Sequence, residues 1–253
     1  MRIILFVLTT FGMALGADGA EWGSLKGRLI FDGTPGDPKP IIVNKDPEFC
    51  GQHKLVDETL VVGEKGGLAN VFVYLYLKKG KSVDVHPDLQ KPSDKPVVLD
   101  NKGCRFHPHA LLVRTGQPFK ITSSDVGIGH NTNAPLLANP QFNQTVPIDK
   151  VFEKSESYPS GVACNIHPWM KSFVLIRDNP YMAVSDAKGS FEIKSIPAGT
   201  HEFIFWHESS GNMRDLEIGK TKTSRKGRAK LAIPAGEMLD LGEVKVSARV
   251  LKL

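Results

Sequence analysis

From Val97 to Arg177 the chain is cut into short strand-forming runs by Gly, Pro and Asn, and this punctuation limits the fold more than any other feature. The runs are Val97–Leu99, Ala110–Arg114, Phe119–Ser123, Gln144–Ile148, Val162–Cys164 and Ser172–Arg177. Each suits a strand and is too short for a stable helix, and the breakers between them supply turns. No convincing helical period is found, and Leu136–Ala138 is no more than a turn. Short strands at this spacing predict a β-sandwich, whose loops gather at its two ends.

The same pattern continues on both sides. Ser24–Asp32 has an imperfect period of two, and Val71–Leu77 is apolar on both faces, as a central strand would be. Residues 33–40 are rich in turn formers, Asp46–Gly51 reads as a loop pinned by a disulfide, and Thr59–Val62 as a short strand. Lys78–Pro96, broken by Pro87, Pro92 and Pro96, reads as a long excursion with no need to pack. A second unit begins near Tyr181, with strands at Ala183–Ser185, Phe191–Ile196, His201–Trp206, Ala229–Ile233 and Leu241–Val250 and a hairpin turn at Asp186–Gly189. The expectation is an all-β chain with domains at 22–180 and 181–253. Strands 24–32 and 71–77 are candidates to complete the second, and the sequence leaves their sheet open. At 253 residues either one large domain or two small ones can bury a core.

Residues 1–16 read as a signal peptide: Arg2 is the charged start, Ile3–Leu15 a mostly apolar run, and Ala14-Leu15-Gly16 a small-residue cleavage site. Cleavage after Gly19 or Ala20 and a retained anchor are the alternatives. No later segment approaches the roughly 18 apolar residues of a membrane span. The mature chain is therefore expected in the bacterial periplasm or secreted. The net charge of +5 falls to +4 without Arg2. The basic run Lys220, Lys222, Arg225, Lys226, Arg228 and Lys230 has no interleaved aromatics, so it reads as a solvated surface and not as a nucleic-acid site.

The chemistry concentrates in Cys164-Asn165-Ile166-His167-Pro168-Trp169-Met170, where two residues separate the Cys from the His and two more the His from the Met. A thiolate, two imidazoles and a weak thioether are the donors of a blue-copper electron-transfer site. His130, in Gly129-His130-Asn131, is the candidate for the second imidazole. Zinc suits the Cys and His but not the thioether, and a buried thiol beside a surface imidazole is the non-functional alternative. Three cysteines is an odd number for an exported chain. If a metal holds Cys164, then Cys50 and Cys104 are free to pair; the competing account pairs Cys164 with one of them.

This loop, running into the strand from Lys171, resembles the ligand loop of the small blue (type 1) copper proteins, the cupredoxins, in its short amicyanin form. The resemblance implies a Greek-key β-sandwich with one copper per chain on His130, Cys164, His167 and Met170. It also implies that Asn131 links the two ligand loops, as its counterpart does in the family. The close likeness covers residues 127–177; where the family often has a further His after His-Asn, this chain has Thr132-Asn133. More broadly, Cys50-Gly51, Asn70–Leu75, Asp100–Phe106 and Trp206-His207-Glu208 resemble planctomycete proteins grouped as cupredoxin-like or methylamine-utilisation-like. The segment 181–253 is expected to form an additional sandwich of the carboxypeptidase-regulatory type.

The function expected is a carrier of single electrons between redox proteins, monomeric or weakly oligomeric. Its electron exit would be through His167 beside an exposed Pro168 and Trp169. His107 and His109, at i and i+2, would share one face of a strand. With His207 and Glu208 they are candidates for a second metal or for support around the first. A multi-copper or red-copper oxidoreductase, with Glu208 as a carboxylate ligand, is the alternative; a non-catalytic copper-binding module of the cell envelope is another. No acid/base carboxylate pair or Ser-centred nucleophile is evident.

Overall fold

The computed structural model describes residues 21–253, so the expected leader at 1–16 lies outside the described residues. The described residues are all-β apart from short helical turns, including Pro47–Cys50 and Ala248–Leu251. Its sheets stack as two sandwiches placed back to back.

The first sandwich faces a mixed sheet, ordered 110–114, 171–177, 160–163, 131–134, 142–145, against a second ordered 106–107, 97–101, 118–123, 148–151. Leu99, Phe119 and Ile121 from one sheet meet Val113, Val162, Val174 and Ile176 from the other in a closed core. The second sandwich faces the sheet ordered 190–197, 22–32, 238–247 against the sheet 182–184, 72–75, 199–207, 211–212. The Trp22–Asp32 and Phe72–Leu75 strands thus pair within sheets whose other members lie beyond Tyr181.

The apolar run at 71–77 has a simple cause. Val73 and Leu75 point into the second core with Phe203 and Phe205. Phe72 and Tyr74 point the other way with Ile204 and Trp206, onto Ala110 and Leu175 of the first sandwich. A strand buried on both faces cannot alternate polar and apolar residues. Lys171–Arg177 is used likewise, with Val174 and Ile176 to one side and Leu175 to the other.

Several expected boundaries are corrected. The run at 144–148 is two strands, Phe142–Thr145 and Ile148–Val151, because Pro147 has no amide to give a ladder. Thr59–Val62 makes only an isolated bridge, Val62 to Leu68. The last strand runs Met238–Ser247 and gives way to a helical turn. The Lys78–Pro96 excursion packs after all: His86 meets Trp22 edge-on with ring centroids 5.0 Å apart, and the Tyr181 hydroxyl donates to Asp84 O at 2.8 Å. The basic run falls on a short hairpin and on the Arg228–Ile233 strand, where Arg228 lies 3.4 Å over the Tyr76 ring. At the Asp186–Gly189 turn, Gly189 has φ +77°, and a Cβ there would sit 2.1 Å from Leu29 O, so glycine is required.

Candidate metal centre

Strand pairing brings the donors together. Ser160–Ala163 and Lys171–Arg177 pair antiparallel, with Ala163 opposite Lys171, so residues 164–170 form the turn between them. Cys164 N donates to Met170 O at 3.2 Å and Met170 N to His167 O at 2.9 Å, closing that turn. On its other side Ala163 pairs with Asn133, which places the Asn131–Ala134 strand, and His130 just before it, against the same loop. Asn131 Oδ1 accepts from Asn165 N at 2.8 Å and Ile166 N at 3.3 Å and lies 3.3 Å from Cys164 Sγ. One side chain therefore ties the two loops together.

His130, Cys164 and His167 are each at most 1 % exposed. His167 Nδ1 lies 3.1 Å from His130 Nδ1 and 3.8 Å from Cys164 Sγ. Donors held about 2.0–2.3 Å from one ion stand roughly 3–4 Å apart, so these three fit a shared metal. Met170 is buried against the same core as Cys164, three residues beyond His167.

Both imidazoles are oriented from behind. His130 Nε2 lies 2.9 Å from Asp125 Oδ2, and His167 Nε2 lies 2.8 Å from Asp46 Oδ2. Asp125 is itself fixed, accepting from Gly103 N at 2.6 Å and Cys104 N at 2.9 Å. A carboxylate behind an imidazole claims the Nε2 hydrogen and leaves the Nδ1 lone pair for a metal. Two such lone pairs facing each other at 3.1 Å are satisfied by a cation between them or by a proton shared between the rings. Burial lowers the His130 pKa, with its bond to Asp125 opposing and the neighbouring His167 adding to the fall. The neutral, ligating form is thereby favoured.

No family model and no curated protein matches the chain. Among solved structures it is similar to a copper-containing nitrite reductase from Thermus scotoductus SA-01, at 20% identity over 37% of this chain and 27% of the reductase, TM-score 0.31. The chain thus matches only about a quarter of the reductase's length. It is also similar to the Cu(I) form of an amicyanin mutant, at 14% identity over 33% of this chain and 84% of that one, TM-score 0.29. A purple cupredoxin from Nitrosopumilus maritimus is similar at 21% identity over 33% of this chain and 99% of its own, TM-score 0.25.

The surroundings of His167 differ from expectation. It is fully enclosed, 0 % exposed, while Pro168 beside it is exposed as expected. The Asp46–Gly51 segment covers it, and a disulfide between Cys50 and Cys104 anchors that cover, leaving Cys164 as the free thiol. The two disulfide sulfurs and a His167 ring nitrogen all lie within 4.8 Å of one another. Trp169 is partly buried; its indole N–H donates to Cys104 O at 3.0 Å and its ring lies 5.3 Å from that of His167. Cys50, Leu55 and Cys104 form a small core of their own with Phe49 and Trp169 against it.

His107 and His109 do not share a face. His107 is exposed, near His53, whereas His109 turns inward to Glu208. His207 is buried, with Nδ1 2.8 Å from the Ser209 hydroxyl. Burial pushes its pKa down to about 4, helped by nearby His109. Asp46, Asp125 and Glu58 are the residues that sequence reasoning missed. Asp46 alone had a local hint, four residues before a cysteine. No helix among the described residues is long and apolar enough to cross a membrane.

Proposed function

We propose that the chain is an exported mononuclear type 1 copper protein that carries single electrons between redox partners. One observation carries this reading: a thiol and two Nδ1 atoms converge in a buried pocket, each imidazole backed by its own aspartate. Cys164, His130 and His167 would hold the ion, with Met170 as the weak fourth donor. A bound copper supplies one-electron chemistry there, and the protein supplies the rest. Asp125 and Asp46 keep both lone pairs turned inward, Asn131 locks the loops, and the disulfide-anchored cover keeps water from His167. Donors held this firmly rearrange little when the charge at the site changes, which suits transfer over turnover. Because His167 is enclosed, its bonded link to solvent runs through Asp46, whose side chain is 44% exposed. Export fits the disulfide, which persists in oxidising compartments.

The test is Cys164→Ser in the copper-loaded protein. The intense visible absorption of a thiolate-bound copper should vanish while the thermal melt stays cooperative. Undiminished colour in the variant overturns the assignment.

A further inference from the structure

His109 stands at the seam of the two sandwiches, just before the Ala110–Arg114 strand and opposite the end of the Gly199–His207 strand. Its side chain is 9% exposed, and so is that of Glu208, whose Oε1 lies 2.5 Å from His109 Nε2. On the other edge of the ring, Nδ1 is buried with no hydrogen-bond partner. It faces Glu58 Oε2 at 3.8 Å, beyond hydrogen-bonding range. Arg105 holds the other oxygen of Glu58 at 2.9 Å and so fixes its direction. His109, Glu58 and Glu208 all line a cavity of about 110 Å³ whose wall includes Trp169 and Met170.

The Nδ1 edge of the ring leaves a gap that a bound cation would fill. An ionised Glu208 accepts and cannot donate, so Nε2 carries the hydrogen. Nδ1 then presents a lone pair toward a second acceptor, the Glu58 carboxylate. If the ring is doubly protonated instead, its Nδ1–H meets the Glu58 carboxylate only as an ion pair at 3.8 Å, too long for a hydrogen bond. A cation about 2.0–2.2 Å from each atom satisfies both at once. The carboxylate behind the imidazole is the support that metal-bound histidines use.

We propose that this cavity is a second cation site, distinct from the thiolate centre, in which His109 Nδ1 and a Glu58 oxygen hold a borderline divalent ion, Zn²⁺ or Cu²⁺. Glu208 acts as its positioning residue, and water in the cavity completes the coordination. Imidazole and carboxylate without sulfur suit those ions. The site stands whether or not copper binds at Cys164.

The probe is Zn²⁺, titrated calorimetrically into copper-loaded protein and counted by metal analysis after gel filtration. The parent should take up one Zn²⁺ per chain. His109→Gln and Glu58→Gln should each weaken uptake at least tenfold, Glu208→Gln about 10–100-fold, and His107→Gln not at all. Thermal melts of each variant separate lost binding from lost folding. Repeating the comparison in a Cys164→Ser background reads the difference without the thiolate centre, so failure of the copper assignment leaves the test intact. Equal uptake by parent and His109→Gln, or no uptake by the folded parent, overturns the proposal and leaves a merely hydrated cavity.

Discussion

Two aspartates decide how the imidazoles beside Cys164 present themselves. Asp125 is buried and bonded to two backbone amides, whereas Asp46 is partly exposed and reaches His167 across 121 residues of chain. Replacing either by Asn removes a negative charge from behind a ligand nitrogen. Copper affinity should fall about 10–100-fold, and the reduction potential should rise, because the oxidised ion loses more stabilisation than the reduced one. Competition with a chelator and protein-film voltammetry read the two effects; an unchanged potential in both variants would count against the orientation of these rings. The meeting of Cys164, His167 and His130 was legible in the sequence because one ion requires donors at short, fixed spacing and two of the three are local. Asp46, Asp125 and Glu58 were not legible, since a lone carboxylate on a loop has no period and acquires its partner only in the folded chain.

Among the elements, the Asp46–Gly51 cover is the one least readable beforehand. Its residues read as a loop pinned by a disulfide, and only the fold shows that the pin to Cys104 holds it over His167. The bond closes a loop with a sequence separation of 54, so removing it should lower stability by about 4 kcal/mol on the chain-entropy account. Urea unfolding of the Cys50→Ser/Cys104→Ser protein beside the parent tests this, and a loss under about 1 kcal/mol would mean that the small core around Leu55 holds the cover unaided. The strands show the same split between local and tertiary information. Runs such as Ala110–Arg114 announce themselves by composition. Asn131–Ala134 does not, because two asparagines in four residues disfavour a strand until neighbours on both sides pair with it.

At the scale of the whole molecule, two sandwiches share a seam where Phe72, Tyr74, Leu175 and Trp206 pack, and His207 lies buried at its edge. Its pKa of about 4 in the fold compares with about 6.5 in an unfolded chain. Below pH 6.5 the unfolded state takes up a proton that the fold refuses, so stability declines from about pH 6.5 to pH 4 and levels off below, by on the order of 3 kcal/mol. His130, lowered in the same direction, adds to the decline. Unfolding free energies at pH 7 and 4.5 should differ less in His207→Gln than in the parent, and equal differences would refer the decline to other groups. That Val71–Leu77 is apolar on both faces was readable; which sheet it would join was not, because apolar faces carry no address.

On the copper reading, the closeness of the cross-link to His167 favours one order of assembly. Three cysteine sulfurs surround one imidazole, and the copper assignment gives a metal-binding part to a single one of them. A chain that met Cu(I) while all three were thiols would offer it a cage of soft sulfur, which that ion prefers. Oxidation of Cys50 and Cys104 to the disulfide would withdraw two competitors. Forming the sulfur bridge before the ion binds would spare the site that competition.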